Sequence, residues 1–288
     1  MSDKRISKRQ LLEMNGNFSG RDKNILYTIQ RCRYITSGQL QRLFFTDAAT
    51  SAAALRAVNR NLEKLKDLGL IEALPRRMGG TRGGSGAHIW HLRPPGEHLL
   101  RLTGSVAKLS RSFTPSIQFL THTLATTECF VRLHEISRGD GLELKTISLE
   151  PECWRMYNHA GKLVSIKPDI FAVTTYGGYQ DSWFIELDLD TEAPVRIIDK
   201  CHRYHQYYRS GLEQKQHDVF PLVIWIVPDK KREESIKKHL RDEFSAWPNL
   251  FEVIVLDELE NLLRQDTNGA LSFEEIATDK TNTIQQSR

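Results

Sequence analysis

The stretch SIKPDIFAVTTYGGYQDSWFIELD, residues 165–188, decides the fold of the second half of the chain. Two runs of β-branched and aromatic residues flank Gly177-Gly178, a favoured two-residue hairpin turn. A turn centred between those glycines pairs residue i with residue 355 − i. Asp169 then faces Glu186 and Lys167 faces Asp188, while Ile170, Ala172, Ile185 and Leu187 point to the opposite face, into a core. Directly opposed like charges destabilise a sheet. A cation between Asp169 and Glu186 relieves the conflict, and hard carboxylate ligands without nearby His or Cys favour Mg²⁺ or Mn²⁺ over zinc. A solvated pair at a strand end is the plain alternative.

Elements on either side extend this hairpin into an α/β domain. Upstream, residues 116–138 read as a helix and 142–151 as a strand, before strands at 165–175 and 181–189. Downstream come a helix over 194–209, a continuous apolar strand over 221–228, a helix over 233–244 and a strand over 251–256. The order is α-β-β-β-α-β with a further helix and strand. Glu128 lies beside the apolar stripe Ile117, Leu120, Leu124 and Val131, an awkward place for a carboxylate without a partner. It is a candidate third ligand. Lys200 and Tyr204 share a helix face with Tyr207, where they could hold a phosphate. His202 and His205 lie three apart on the same helix, a spacing commoner among exposed histidines than among ligands.

The N-terminal part differs in charge and in pattern. Residues 1–112 carry 20 Lys+Arg and 8 Asp+Glu, net +12; the other 176 carry 20 and 28, net −8; together they give the chain's +4. A basic module joined to an acidic one points to a polyanion partner, with the phosphate backbone the usual target. Three helices are expected, at 21–33, from Thr36 (with Gln39 completing a capping box) through Phe44, and over 51–68 closed by Gly69. The third buries Leu55, Val58, Leu62, Leu65 and Leu68 and turns Arg56, Arg60 and Lys64 outward, with Asn59 on its flank. Strands at 70–77 and 88–93 follow, joined by a glycine-rich loop. Three helices and a basic hairpin make the layout of a winged helix, which presents its third helix to the major groove of double-stranded DNA. Arg76, Arg77 and Arg82 belong to the wing.

Other classes are excluded. Gly79 to Gly84 has P-loop spacing, but Ser85 replaces the lysine and a strand follows. No apolar run approaches a membrane span, and the basic start has no apolar region after it, so no secretory signal is read and a cytoplasmic location is expected. Four scattered cysteines contain no CxxC pair, which argues against a zinc finger or a disulfide framework. An RNA-binding role lacks an RRM-type aromatic signature. The expected domains are 20–103 and 115–264, with flexible ends at 1–19 and 265–288.

Asp169 after Pro168, followed by Glu186-Leu187-Asp188 within α-β-β-β-α-β, resembles the PD-(D/E)XK restriction-endonuclease-like superfamily. The larger pattern is similar to the replication-relaxation family of plasmid proteins, which includes MobC-type relaxases. It comprises Phe119-Leu-Thr-His-Thr-Leu124, Glu150-Pro-Glu-Cys-Trp-Arg155, Lys167-Pro-Asp169, Trp183-Phe-Ile-Glu-Leu-Asp188 with Thr191-Glu192, and Lys200-Cys-His-Arg-Tyr204, and the likeness spans residues 20–256. The resemblance implies a metal-dependent nicking endonuclease that acts at a plasmid origin alongside relaxosome or replication proteins, and a homodimer is compatible with that role. Carried over, Asp169, Glu186 and Glu128 become metal ligands. Asp188 stands where the motif has lysine, so Lys200 or Lys167 must supply the charge. A non-catalytic initiator or transcription regulator on a degenerate nuclease fold has the same sequence pattern. A covalent route through Tyr204, Tyr207 or Tyr208 is disfavoured, because the His-hydrophobic-His motif of tyrosine relaxases is missing.

Overall fold

A computed structural model describes residues 6–75, 88–104, 115–159, 161–244 and 250–265. The chain divides into two compact units, 1–135 and 136–288. The wing arginines Arg76, Arg77 and Arg82 and the tail from 266 lie outside the described residues.

The first unit holds α1 (Lys8–Gly16), α2 (Gly20–Cys32), β1 (Ile35–Thr36), α3 (Ser37–Phe44), α4 (Ser51–Asp67), β2 (Ile71–Ala73), β3 (Ile89–Leu92) and α5 (Pro94–Leu102), followed by α6 (Ile117–Ile136). The strands form one antiparallel sheet in the order β1-β3-β2. Local chemistry sets the helix ends. Capping boxes open α1, α2 and α3, with Ser7 and Gln10, Ser19 and Asp22, and Thr36 and Gln39 satisfying otherwise orphaned N–H groups. Gly69, at φ +72°, closes α4, with Leu70 N–H returning to the Leu65 carbonyl and Gly69 N–H to that of Lys66. That is a Schellman motif, and it needs a residue tolerant of left-handed backbone.

Several features depart from expectation. Residues 8–16, expected to be part of a flexible end, form α1, which buries Leu11. The helix α5, starting at Pro94 and Pro95, was not anticipated. On α4 the buried positions are Ala54, Val58, Leu62 and Leu65, while Leu55 is 43% exposed. The helix α6, expected at the head of the second domain, packs in the first unit: Leu120 and Leu124 share a core with Tyr34 and Ile89, and the Thr127 hydroxyl donates to the Tyr34 carbonyl at 3.0 Å.

The second unit contains β4 (Glu143–Leu149), β5 (Arg155–His159), β6 (Lys162–Ile166), β7 (Ile170–Tyr176), β8 (Tyr179–Leu187), α7 (Pro194–Ser210), α8 (Leu212–His217), β9 (Leu222–Val227), α9 (Lys230–Glu243) and β10 (Phe251–Val255), and ends with α10 (Leu259–Leu263). Five strands form a mixed sheet in the order β10-β9-β8-β7-β4, antiparallel from β4 to β8 and parallel from β8 to β10. The expected register holds from Tyr176↔Tyr179 to Ile170↔Ile185. Gly177 and Gly178 both have positive φ, +58° and +90°, as a type I′ turn requires. The run 165–175 is two strands rather than one. Pro168, which lacks an N–H, separates β6 from β7, and β6 pairs with β5 in a separate hairpin.

The helix α7 presents Ile197, Cys201, Tyr204 and Tyr208 to Phe184, Val223 and Trp225 of the sheet, with Ile236 and Leu240 of α9 in the same core. A buried ion pair ties the small hairpin to α8: Arg155 Nε lies 3.0 Å from Glu213 Oε2, and the Tyr207 hydroxyl donates to that oxygen at 2.5 Å. Removing one partner strands the other in low dielectric. Glu213→Ala is expected to cost about 3–5 kcal/mol, measured as a fall in the urea midpoint with the slope unchanged.

Candidate functional site

At the end of the β7–β8 ladder the chain draws Asp169 and Glu186 together. Asp169 N–H donates to the Ile185 carbonyl at 3.0 Å, and its Oδ2 accepts the Leu187 N–H at 2.7 Å. The carboxylate is thus fixed by the backbone of the strand that carries Glu186. Both residues are nearly inaccessible, at 5% and 3% exposure. Glu186 accepts a hydrogen bond from the Tyr204 hydroxyl at 2.8 Å, while Lys200 Nζ lies 3.7 Å from its other oxygen and 3.7 Å from Glu192. Lys200 also sits 5.4 Å from the centre of the Trp225 ring. Asp169, Glu186, Lys200 and Tyr204, singled out in the sequence, form one cluster.

Electrostatics assign their protonation. Burial works against the charge of Lys200, but Glu186, then Glu192 and Asp169, more than offset it and hold the ammonium above the ordinary lysine value. Burial pushes the Tyr204 phenol well up, and the Glu186 charge and hydrogen bond push it further. It is therefore a neutral donor. A carboxylate oxygen of Glu150 lies within 4.8 Å of one of Asp169. Sequence reasoning had quoted Glu150 only as part of a motif; its position just after β4, beside the start of β7, is a tertiary fact.

The remaining predicted residues lie elsewhere. Asp188 accepts from Arg232 Nε of α9 at 2.6 Å and from Asp190 N–H at 3.1 Å, and Arg232 further reaches Asp190 and the Glu192 carbonyl. It is an anchor for the loop after β8. Lys167 does not extend the hairpin pairing: β6 has ended, and its ammonium stacks 4.5 Å from the centre of the Trp154 ring. Glu128 belongs to the first unit, where Arg42 Nη1 lies at 2.5 Å and Gln39 Nε2 at 3.0 Å. These are the partners that its apolar surroundings demanded. His202 faces Glu243 at 3.1 Å, and burial pushes His205 down to about 4.

On α4, Arg56, Asn59 and Arg60 are exposed as expected. Lys64 is already engaged. Its ammonium lies 2.8 Å from Oδ2 of the buried Asp22 and 5.5 Å from the Phe18 ring centre, tying α4 to α2.

With the geometry in place, comparison with known proteins adds one finding: the replication-relaxation family model matches residues 26–223, well over half of the chain. The chain belongs to the replication-relaxation family. Membership associates it with replication and mobilisation. The matched span contains α4, Asp169, Glu186, Lys200 and Tyr204, whereas Arg232 lies beyond it. No curated protein and no solved structure matches the chain. Among the described residues of this replication-relaxation protein, no helix is long and apolar enough to cross a membrane.

Arg42 also grips Glu135, at 2.6 Å, and holds its carboxyl below the usual carboxylate range. A depressed folded value means that the stabilisation is complete above the unfolded carboxylate pKa, about 4.3, and is lost as pH falls through the folded value. Arg42→Ala is expected to cost about 1 kcal/mol at pH 7, since the pair is partly exposed. Urea titrations of both proteins should show that difference shrinking below pH 4.

Proposed function

We propose that the chain binds double-stranded DNA of a plasmid or other mobile element through α4 and the β2–β3 hairpin, and nicks it at an origin with the Asp169–Glu186 centre. The observation that carries the reading is the burial of two carboxylates, Asp169 and Glu186, at the end of the hairpin, with Lys200 and Tyr204 against Glu186. Element order supports both halves. The sequence α2-β1-α3-α4-β2-β3 follows a winged helix, as in helix-turn-helix proteins that read the major groove. The sequence β4-β7-β8-α7-β9, with β5–β6 inserted, follows the β-β-β-α-β part of the PD-(D/E)XK order, whereas α6, which precedes it in the chain, packs in the first unit.

The donor set fits a hard divalent cation. Asp169 and Glu186, with Glu150 in reach of Asp169, offer only oxygen ligands, and buried carboxylates need a counter-charge. Bound there, Mg²⁺ or Mn²⁺ would supply Lewis-acid polarisation of a phosphoryl oxygen. The chain's own groups do the rest. Lys200, kept charged by its carboxylate neighbours, offers a cation to negative charge developing on the phosphate. Tyr204 keeps Glu186 oriented through its hydroxyl. Asp188, where the superfamily has its lysine, is taken by Arg232, so Lys200 is the cation available to this centre.

A second reading, a non-catalytic initiator or regulator, is favoured by that same departure from the motif. Titration of Mn²⁺ into wild type and Asp169→Ala/Glu186→Ala, with nicking of supercoiled plasmid carrying the chain's own origin, separates the two. Metal binding and nicking should be present in wild type and lost together in the variant. DNA binding with neither property in wild type would establish the second reading. Independently, Arg60→Ala is expected to weaken duplex binding by about 1–3 kcal/mol if it touches a base edge, and unchanged gel-shift affinity would remove this face from the interface.

A further inference from the structure

We propose that Leu55 reads the C5-methyl group of a thymine in the major groove, so that α4 selects sites containing an A·T pair at one defined position. The proposal rests on the DNA-binding reading of α4 and adds what that helix recognises. Its starting point is an anomaly. Helical spacing assigns Leu55 to the core with Val58, Leu62 and Leu65, yet Ala54 takes the buried place and Leu55 is 43% exposed.

A single exposed leucine needs no explanation by itself. Its neighbours give this one a meaning. Ala52, Leu55 and Asn59, spaced three and four apart, form an exposed column along α4, next to the exposed Arg56 and Arg60. Further along the helix, Glu63 is paired with Lys66 at 2.8 Å, and Asp67 is exposed at its C-terminal end, more than one turn beyond Arg60. The face is therefore cationic with an apolar strip, on a module whose residues 1–112 carry net +12. That charge commits the occupant to a polyanion.

Each side chain on this face also has a partner on a base edge. Arginine matches the two acceptors of guanine, asparagine the acceptor and donor of adenine, and an apolar group the methyl of thymine. The four-position step from Leu55 to Asn59 makes about one helical turn, so the two side chains would reach neighbouring base pairs. Lys64, held by Asp22, is left to fasten α4 to α2 and does not compete for this role.

The test uses the full chain and a pool of random-sequence duplexes. Enriched duplexes are remade with each thymine in turn replaced by deoxyuridine, which lacks only the methyl group. Wild type should lose about three- to fourfold in affinity at one position, the value of one buried methyl. Leu55→Ala should bind thymine and uracil duplexes equally there, Leu55→Met should retain the discrimination, and Arg60→Ala should weaken both duplexes while preserving their ratio. Indifference of wild type at every thymine, or an unchanged ratio in Leu55→Ala, overturns the proposal while leaving DNA binding intact. A pool in which no duplex is enriched overturns the DNA-binding reading, and this inference with it.

Discussion

Two buried carboxylates at the end of the β7–β8 hairpin are the constraint around which the second unit is organised. Gly177-Gly178 fixes the register, which runs as far as Ile170↔Ile185 and leaves Asp169 and Glu186 just at its end. The burial of each charge is offset by partners on neighbouring groups. A main-chain N–H donates to Asp169, a buried phenol donates to Glu186, and an ammonium on α7 lies close enough to serve as a counter-ion. The packing of α7 follows from this. Tyr204 reaches Glu186 only because Ile197, Cys201 and Tyr208 seat the helix on Phe184, Val223 and Trp225.

The neighbouring position shows how one buried ion pair shapes a loop. Asp188 gives its charge to Arg232, and the same guanidinium collects Asp190, whose backbone has φ +58°, and the carbonyl of Glu192. A non-glycine residue at such a φ is held there by its surroundings. The loop is thereby shaped so that the Glu192 side chain stands 3.7 Å from Lys200. One long-range ion pair thus sets the partner of the lysine on α7. A lysine at position 188 would have repelled Arg232 and left this loop without its anchor.

What could be read from the sequence was whatever is decided locally. The β7–β8 register follows from two glycines and the alternation of side chains, the start of α3 from Thr36 and Gln39, and the end of α4 from Gly69. The capping box Ser7-x-x-Gln10 was equally available, and α1 went unread because its short apolar face buries only Leu11. Glu128, Lys64 and Lys167 could not be placed in this way. Their partners, Arg42, Asp22 and Trp154, lie 86, 42 and 13 residues away in sequence, and nothing in spacing or periodicity reports on such pairs. Leu55 shows the complementary limit. Helical periodicity defines an apolar stripe, but its edge is set by how far the neighbouring elements reach across it.

The charge division gives the proposed reading its physical economy. The second unit, residues 136–288, carries net −7 and gains nothing from a phosphate backbone in general, so on this reading affinity must come from the basic part. On that reading phosphate would be tolerated at the acidic centre only where positive charge is concentrated, at Lys200 and at a cation that Asp169 and Glu186 would hold. Such a centre would have little affinity for DNA on its own. Cleavage would depend on delivery by the recognition helix, and specificity would reside in α4 while the chemistry stayed indifferent to sequence. Separating the two tasks in this way allows the recognition face to change its target through exposed residues such as Leu55 and Asn59, without disturbing the buried network that holds the carboxylates.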